Sequence, residues 1–134
     1  FRCLGENGPA LCARESFMAH RSAAHRSAEM NACIASCSAC HGICVETIAH
    51  SLVRGGPHAT PNHLGLLQVC ADMSGVAADA MRHGIDEHIH TCRACAAVAS
   101  ACAESCESVG SDAEMERCIE ACRRCAEDCN RMTA

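Results

Sequence analysis

The chain has 134 residues, among them 15 Cys, two Phe, no Trp and no Tyr, with 11 basic against 16 acidic side chains. That length suits one compact domain and not two. The mildly acidic balance excludes the basic footprint of a nucleic-acid binder, no apolar run approaches the roughly 18 residues of a membrane span, and an interior so poor in aromatics must be built from Ala, Cys, Leu, Ile and Val, small side chains that suit close-packed helices.

Residues 1–26 read as an extension, irregular or partly helical, punctuated by Gly5, Gly8 and Pro9. Helical periodicity starts near Ser27 and runs to about residue 53, with Met30, Cys33, Cys37, Cys40, Cys44 and Ile48 on one face and Ile34, Val45 and Leu52 alongside. Gly55-Gly56-Pro57 stops it. A second helix over about 61–83 opens at Thr60-Pro61, an N-cap residue followed by proline at the first helical position. Its apolar positions are Leu66, Leu67, Cys70, Met73, Ala77, Ala80 and Met81, and Gly84 ends it. The third, over about 86–109, places Cys92, Cys95, Ala99, Cys102 and Cys106 on one face before Gly110, a plausible C-terminal cap. The fourth, over about 112–132, opens on the capping-box pattern Ser111-x-x-Glu114. Met115, Cys118, Cys122, Cys125 and Cys129 form its inner face, and Glu120/Arg124, Arg123/Glu127 and Glu127/Arg131 lie four apart on a solvated outer face. Four amphipathic helices with short links predict an all-α fold, an antiparallel four-helix bundle over 27–134 with a cysteine-lined core. β-branched residues are few and no alternating run supports strands.

The cysteines recur at steps of four, three and four in CIASCSACHGIC and again in CIEACRRCAEDC. Such steps return to one face of an α-helix, so the thiols line the bundle interior. Cysteine can serve merely as a small buried hydrophobe, but Leu or Ala would fill that space without an oxidation hazard. Disulfides within a helix are disfavoured, because neighbours three or four apart hold their Cβ atoms roughly 5–6 Å apart where a bridge wants about 3.5–4.5 Å. Bridges between helices stay open. The odd count rules out complete internal pairing.

Metal is the remaining reading. Thiolates select Cu(I), zinc or iron–sulfur clusters. Zinc wants closed tetrahedral sets, usually presented from knuckles or loops, and a continuous stripe does not divide into such sets. Cys33-x3-Cys37-x2-Cys40 has the spacing of a radical-type iron–sulfur motif, yet the stripe continues to Cys44 and Ala39 stands where an aromatic is expected. Ferredoxin spacings are absent, and Cys92-Arg-Ala-Cys95 lacks the βαβ context of a redox CxxC. Cu(I) fits best: it accepts two or three thiolates, sulfur can bridge two ions, and one Cu⁺ per thiolate leaves the core neutral, giving on the order of one ion per Cys. A zinc-binding or structural thiol-rich bundle, or an iron–sulfur or redox protein, is the alternative. No Ser/His/Asp or paired-carboxylate arrangement stands out, so no enzyme is expected.

Antiparallel order predicts layers. Cys33, Cys92 and Cys129 share one with Met81; Cys37, Cys95 and Cys125 share the next with Ala77. Cys40 and Cys122 share one with Met73, where Ala99 supplies a gap, followed by Cys44, Cys70, Cys102 and Cys118, with Cys106 near the far end. Cys3 and Cys12 fall outside this set of 13 core thiols. Met30, Met81, His83, His88, His90 and Met132 gather at one end, where thioether and imidazole are labile copper ligands suited to admitting ions. His50, His58 and His63 gather at the other, leaving the direction of loading open, and His41 reads as an interhelical or surface residue.

The stripes Cys33/37/40/44 and Cys118/122/125/129, with the segments GGPHATPNHLGLLQVCADM and HTCRACAAVASACAESC, resemble the bacterial copper storage proteins. The resemblance spans about Met30 to Met132 and is carried by thiol stripes on three helices with the expected links. It implies a four-helix bundle binding many Cu(I) ions through core thiolates, often as a tetramer, and supplied by a copper donor or chaperone. On it the 13 core cysteines become Cu(I) ligands, and Met30, Met81, His83, His88 and His90 become candidates for admitting metal. The chain departs from the pattern at Ser74 and Ala99, where many relatives place Cys, which implies a metal-poor middle layer. Relatives occur both in the cytoplasm and exported. A cytoplasmic location is expected here, with export the alternative, since no signal peptide is recognisable and the start at Phe1 fits a processed or truncated end.

Overall fold

A computed structural model describes residues 26–134 of the chain. The expectations for the N-terminal extension, including Cys3 and Cys12, lie outside the described residues. Four helices follow in order: α1 (Ala28–Arg54), α2 (Pro61–His83), α3 (His88–Val109) and α4 (Ala113–Met132), with a short 3₁₀ turn over Gly56–Ala59. These bounds fall within two residues of those read from the sequence.

Three of the four helices start where a short polar side chain satisfies a free backbone N–H, whereas α3, preceded by Glu87, has no side-chain cap. The Ser27 hydroxyl accepts from Met30 N at 3.0 Å and the Thr60 hydroxyl from His63 N at 3.4 Å. For α4 the cap is Asp112, which accepts from Met115 N at 2.8 Å, and not Ser111 as the capping-box pattern suggested. A carboxylate suits this place better than a hydroxyl, because it also meets the positive end of the helix dipole. Between α1 and α2 the chain turns through Gly55 and Gly56, both at positive φ (67° and 56°), a region a side chain rarely adopts.

α1 packs against α2 and α4, and α3 packs against the same two, so α1 faces α3 and α2 faces α4 across the diagonals. Links this short force neighbours to run antiparallel. The centre holds little besides sulfur and methyl groups: Leu67, Met81, Met115 and His63 are the largest fully buried side chains, and Ala71, Ala77, Ala99 and Ala103 fill the rest. Small residues let the helices approach closely enough for thiols of different helices to touch.

Several outer features differ from expectation. α1 is long and apolar enough to cross a membrane by length and composition, which no uninterrupted apolar run reveals because Ser, Thr and His are interspersed. Its four cysteines nevertheless face the other helices and are fully buried. Val45 and Leu52 are exposed instead of joining the inner face, as are Val53, Val69 and Val76. Of the three ion pairs expected on α4, Glu120–Arg124 forms at 3.2 Å, but Arg123 reaches across to Glu107 and Arg131 pairs with Asp128. Partners on the neighbouring helix or one turn away out-compete the i,i+4 geometry. His41 bridges helices, its Nδ1 lying 2.7 Å from the Ala71 carbonyl oxygen.

Candidate metal centre

All 13 cysteines of the described residues are free and buried, each exposing 1% or less. α1 and α4 each present four, α3 presents Cys92, Cys95, Cys102 and Cys106, and α2 presents Cys70 alone. Toward the N-terminal end of α1, Cys129 Sγ lies 3.6 Å from the sulfurs of both Cys33 and Cys37. Cys125 Sγ lies 3.7 Å from Cys37 and 3.5 Å from Cys95. Farther along, Cys40 Sγ lies 3.7 Å from Cys70, and Cys122 Sγ lies 3.9 Å from each of Cys40, Cys44, Cys70 and Cys118. Cys106 closes the series 3.7 Å from Cys118.

These separations are far beyond the roughly 2.05 Å of a disulfide. They match a shared metal: with metal–thiolate bonds of about 2.3 Å, three sulfurs in a trigonal set stand about 4.0 Å apart. Four groups of sulfurs are compact enough to hold an ion, namely Cys37/Cys95/Cys125/Cys129, Cys33/Cys92/Cys129, Cys40/Cys44/Cys70/Cys122 and Cys44/Cys102/Cys118/Cys122. Cys129 belongs to two of them, and so do Cys44 and Cys122. The sulfurs therefore form chains of overlapping sites instead of isolated cages.

The expected layers appear with two changes. Cys70 joins Cys40, Cys44 and Cys122, one level nearer the middle than predicted. Ser74 takes the inward place assigned to Met73, with its hydroxyl 3.6 Å from Cys95 Sγ and 3.8 Å from Cys125 Sγ. Met73 is only partly buried. The inner stripe of α2 runs His63, Leu67, Cys70, Ser74, Ala77, Met81, which are the same alternating steps of four and three used by the cysteines. Met73 falls at its edge.

Burial and the S–H contacts act together on the thiols. Cys122 is held far above the ordinary thiol value by Cys102, Cys118, Cys40 and Cys44, with burial adding to the effect. Cys129 is raised by Cys125, Cys33, Cys37 and Cys92 and by burial. For Cys92 the contact with Cys129 pulls downward, but Cys33 and burial outweigh it and push the thiol up to about 12. Sulfurs that accept S–H groups move the other way: Cys40 is lowered chiefly by Cys122, and Cys102 chiefly by Cys106. No Lys or Arg is buried among the described residues, so nothing in the core offsets a set of thiolate charges.

The two ends differ. Met81 is fully buried with its thioether sulfur 3.8 Å from Cys92 Sγ, extending the sulfur series by one soft atom. Met30 and Met132 pack partly buried against the core. His83 and His90 are exposed, and His88 is half-buried with Nδ1 2.8 Å from the Ile85 carbonyl oxygen. At the opposite end Asp112 Oδ2 lies 3.0 Å from His50 Nε2 and 3.7 Å from His58 Nε2. His63 is 1% exposed, with Nδ1 2.8 Å from the Ser105 hydroxyl and Nε2 buried without a hydrogen-bond partner. Burial lowers its pKa, opposed in part by nearby Cys102. The sequence reading put His63 at this end but missed its place in the interior; the step from His63 to Leu67 to Cys70 carried that signal.

Comparison with known proteins agrees with this geometry. Residues 11–134 match the family model described as copper storage protein. The cysteine-rich protein YhjQ of Bacillus subtilis strain 168 is 30% identical over 103 residues, 77% of this chain and 94% of YhjQ. Among solved structures, the Nmul_A1745 protein of Nitrosospira multiformis superposes with a TM-score of 0.74 at 36% identity, covering 78% of this chain and 94% of that one. The Cu(I)-bound copper storage protein BsCsp3 gives 0.74 at 28% identity, covering 79% and 99%. Apo Csp3 of Bacillus subtilis gives 0.69 at 28% identity, covering 78% and 98%.

Proposed function

We propose that this chain, which belongs to the copper storage protein family, takes up multiple Cu(I) ions inside its bundle and holds them through the 13 buried thiols. The observation that carries this reading is the overlap of the sulfur groups at Cys44, Cys122 and Cys129 in a core where no Lys or Arg of the described residues is buried. Zinc could occupy a single four-thiolate group, but each such site would keep a net charge of about −2 in an apolar interior, at a heavy solvation cost. One Cu⁺ per thiolate leaves the core neutral, and bridging sulfur suits sites that share ligands. The Cu(I)-bound state of BsCsp3, a protein of the same fold, supports the choice of metal. The role is storage or sequestration, with no catalytic step.

Under this reading Cys33, Cys37, Cys40, Cys44, Cys70, Cys92, Cys95, Cys102, Cys106, Cys118, Cys122, Cys125 and Cys129 are the ligands. Met81, against Cys92, is the natural first contact for an ion passing in at that end, with His83, His88, His90 and Met30 on the approach. A copper chaperone is the corresponding donor, and a reducing compartment such as the cytoplasm keeps the thiols free. The exposed valines and Leu52 on α1 and α2 offer a face for self-association, so the proposed particle is a homo-oligomer. Sedimentation at micromolar protein tests that part, and a monomer would refute it.

Anaerobic Cu(I) added to the reduced protein against a competing chelator tests the whole reading. Uptake on the order of one ion per core thiol is expected. Uptake of only one or two ions, or equal preference for zinc, would overturn it.

A further inference from the structure

A set of metal-ligating side chains stands apart from the thiols, at the end of the bundle where α1 stops and α4 begins. His50 lies near the C-terminal end of α1, His58 lies in the 3₁₀ turn, and Asp112 is the N-cap of α4 with Glu114 in its first turn. These segments are distant in sequence and meet only through the fold. One ring nitrogen of His50 and one carboxylate oxygen from each of Asp112 and Glu114 all lie within 4.8 Å of one another.

The backbone brings a second imidazole to the same place. Gly55 and Gly56, at φ 67° and 56°, turn the chain back on α1, and the ring of His58 rests edge-on to that of His50, with centroids 6.2 Å apart at 85°. Both rings address one atom: Asp112 Oδ2 is 3.0 Å from His50 Nε2 and 3.7 Å from His58 Nε2. The other oxygen of that carboxylate accepts from Met115 N at 2.8 Å. This bond fixes the carboxylate and leaves Oδ2 facing the imidazoles.

His58 is an independent sign that something belongs between them. It is 7% exposed, and its Nε2 is buried without a hydrogen-bond partner. An ion pair with Asp112 accounts for His50 but not for His58, because 3.7 Å is beyond hydrogen-bond reach. A buried nitrogen left in this way forfeits the bond that water would give it, and a cation restores a partner. Arg54 Nε stands 4.0 Å from Oδ2, but its side chain is 54% exposed, so an arriving ion displaces it into water at little cost.

We propose that His50, His58, Asp112 and Glu114 form a second metal site, for one divalent cation of the zinc type, separate from the thiol core. In a tetrahedral set with bonds of about 2.0–2.2 Å to nitrogen and oxygen, neighbouring ligand atoms stand about 3.4 Å apart, and the two distances to Oδ2 bracket that value. Imidazole and carboxylate suit zinc, whereas Cu(I) prefers thiolate. The two carboxylates neutralise the dication, and the exposed Glu114 closes the site from the solvent side. A bound ion clamps the end of α1 and the 3₁₀ turn to the start of α4. The site uses none of the 13 buried thiols, so it stands whether or not they hold copper.

Nitrogen NMR of the imidazoles in the isotope-labelled full chain, reduced, metal-free and titrated with Zn(II), tests the site. Thiols also take zinc, so the readout must resolve individual histidines, and zinc is added past their saturation. The Nε2 signals of His50 and His58 are expected to shift together to a plateau. In the chain loaded beforehand with Cu(I), equilibrium dialysis is expected to find one zinc ion per chain, bound at least about tenfold more weakly in His50→Gln and in Asp112→Asn, since even an indirect partner of a ligand costs that much. Asparagine keeps the N-cap, so Asp112→Asn removes the charge and spares the helix start. Zinc that binds with the two signals unmoved, or undiminished in both variants, sits elsewhere and overturns the proposal, as does the absence of binding. If a variant fails to fold by circular dichroism, the native NMR titration decides. Uptake of only one or two Cu(I) ions defeats the storage reading and leaves the metal-free titration to judge this site alone.

Discussion

Replacing Cys122 by Ser, beside the same change at Cys106, measures how position in the sulfur network sets copper capacity. Cys122 Sγ sits 3.9 Å from the sulfurs of Cys40, Cys44, Cys70 and Cys118, and it belongs to two of the compact groups. Cys106 touches Cys118 at 3.7 Å and belongs to none. If each ion takes two thiolates and each thiolate serves two ions, removing Cys122 leaves two ions with one sulfur each, and about two ions are lost. Removing the terminal Cys106 loses about one. The serine hydroxyl can donate to neighbouring sulfur, so the cost to the metal-free fold is expected to stay near 1 kcal/mol. Cys122→Ala controls for size. Anaerobic titration against a Cu(I) chelator, read as ions per chain, gives the capacities, and urea unfolding of the metal-free proteins gives the stability. Equal losses from the two positions would refute the network account, as would an unchanged capacity in Cys122→Ser.

Three further outcomes are expected. Loading should release close to one proton per Cu(I), because an apolar core with no buried Lys or Arg among the described residues disfavours a full set of uncompensated thiolate charges before metal enters; a pH-stat titration showing release near zero would contradict this. Burial places the folded-state pKa of His63 below the 6.5 of an ordinary histidine, so the unfolded chain takes up that proton first as pH falls. Stability carried by neutral His63 is thus complete above about 6.5 and declines as pH drops toward the folded value; urea midpoints of His63→Leu should vary less with pH below 6.5 than those of the native chain, and an unchanged slope would count against it. Asp128, 8% exposed, accepts from the Ser36 hydroxyl and pairs with Arg131; Asp128→Ala should cost about 1–3 kcal/mol by stranding that hydroxyl, against roughly 0.5 kcal/mol or less for the exposed Asp79→Ala, both read by urea unfolding.

The sequence by itself determined the four helices, their order and the inward direction of the cysteines. Steps of four and three are a local property of an α-helix, and Ser27, Thr60 and the glycine turns mark its ends without reference to any other part of the chain. Even the burial of His63 and Ser74 was written in those steps on α2, where attention to apolar residues favoured Met73 instead. What the tertiary structure alone decided is how the four stripes meet. The level of Cys70 beside Cys40 and the pairing of Arg123 with Glu107 both depend on the axial stagger and rotation of one helix against another. Those quantities are set by the packing of every inward side chain at once. No single helix's periodicity contains them, so a list of thiols could be read from the sequence while the thiols each one touches on other helices could not.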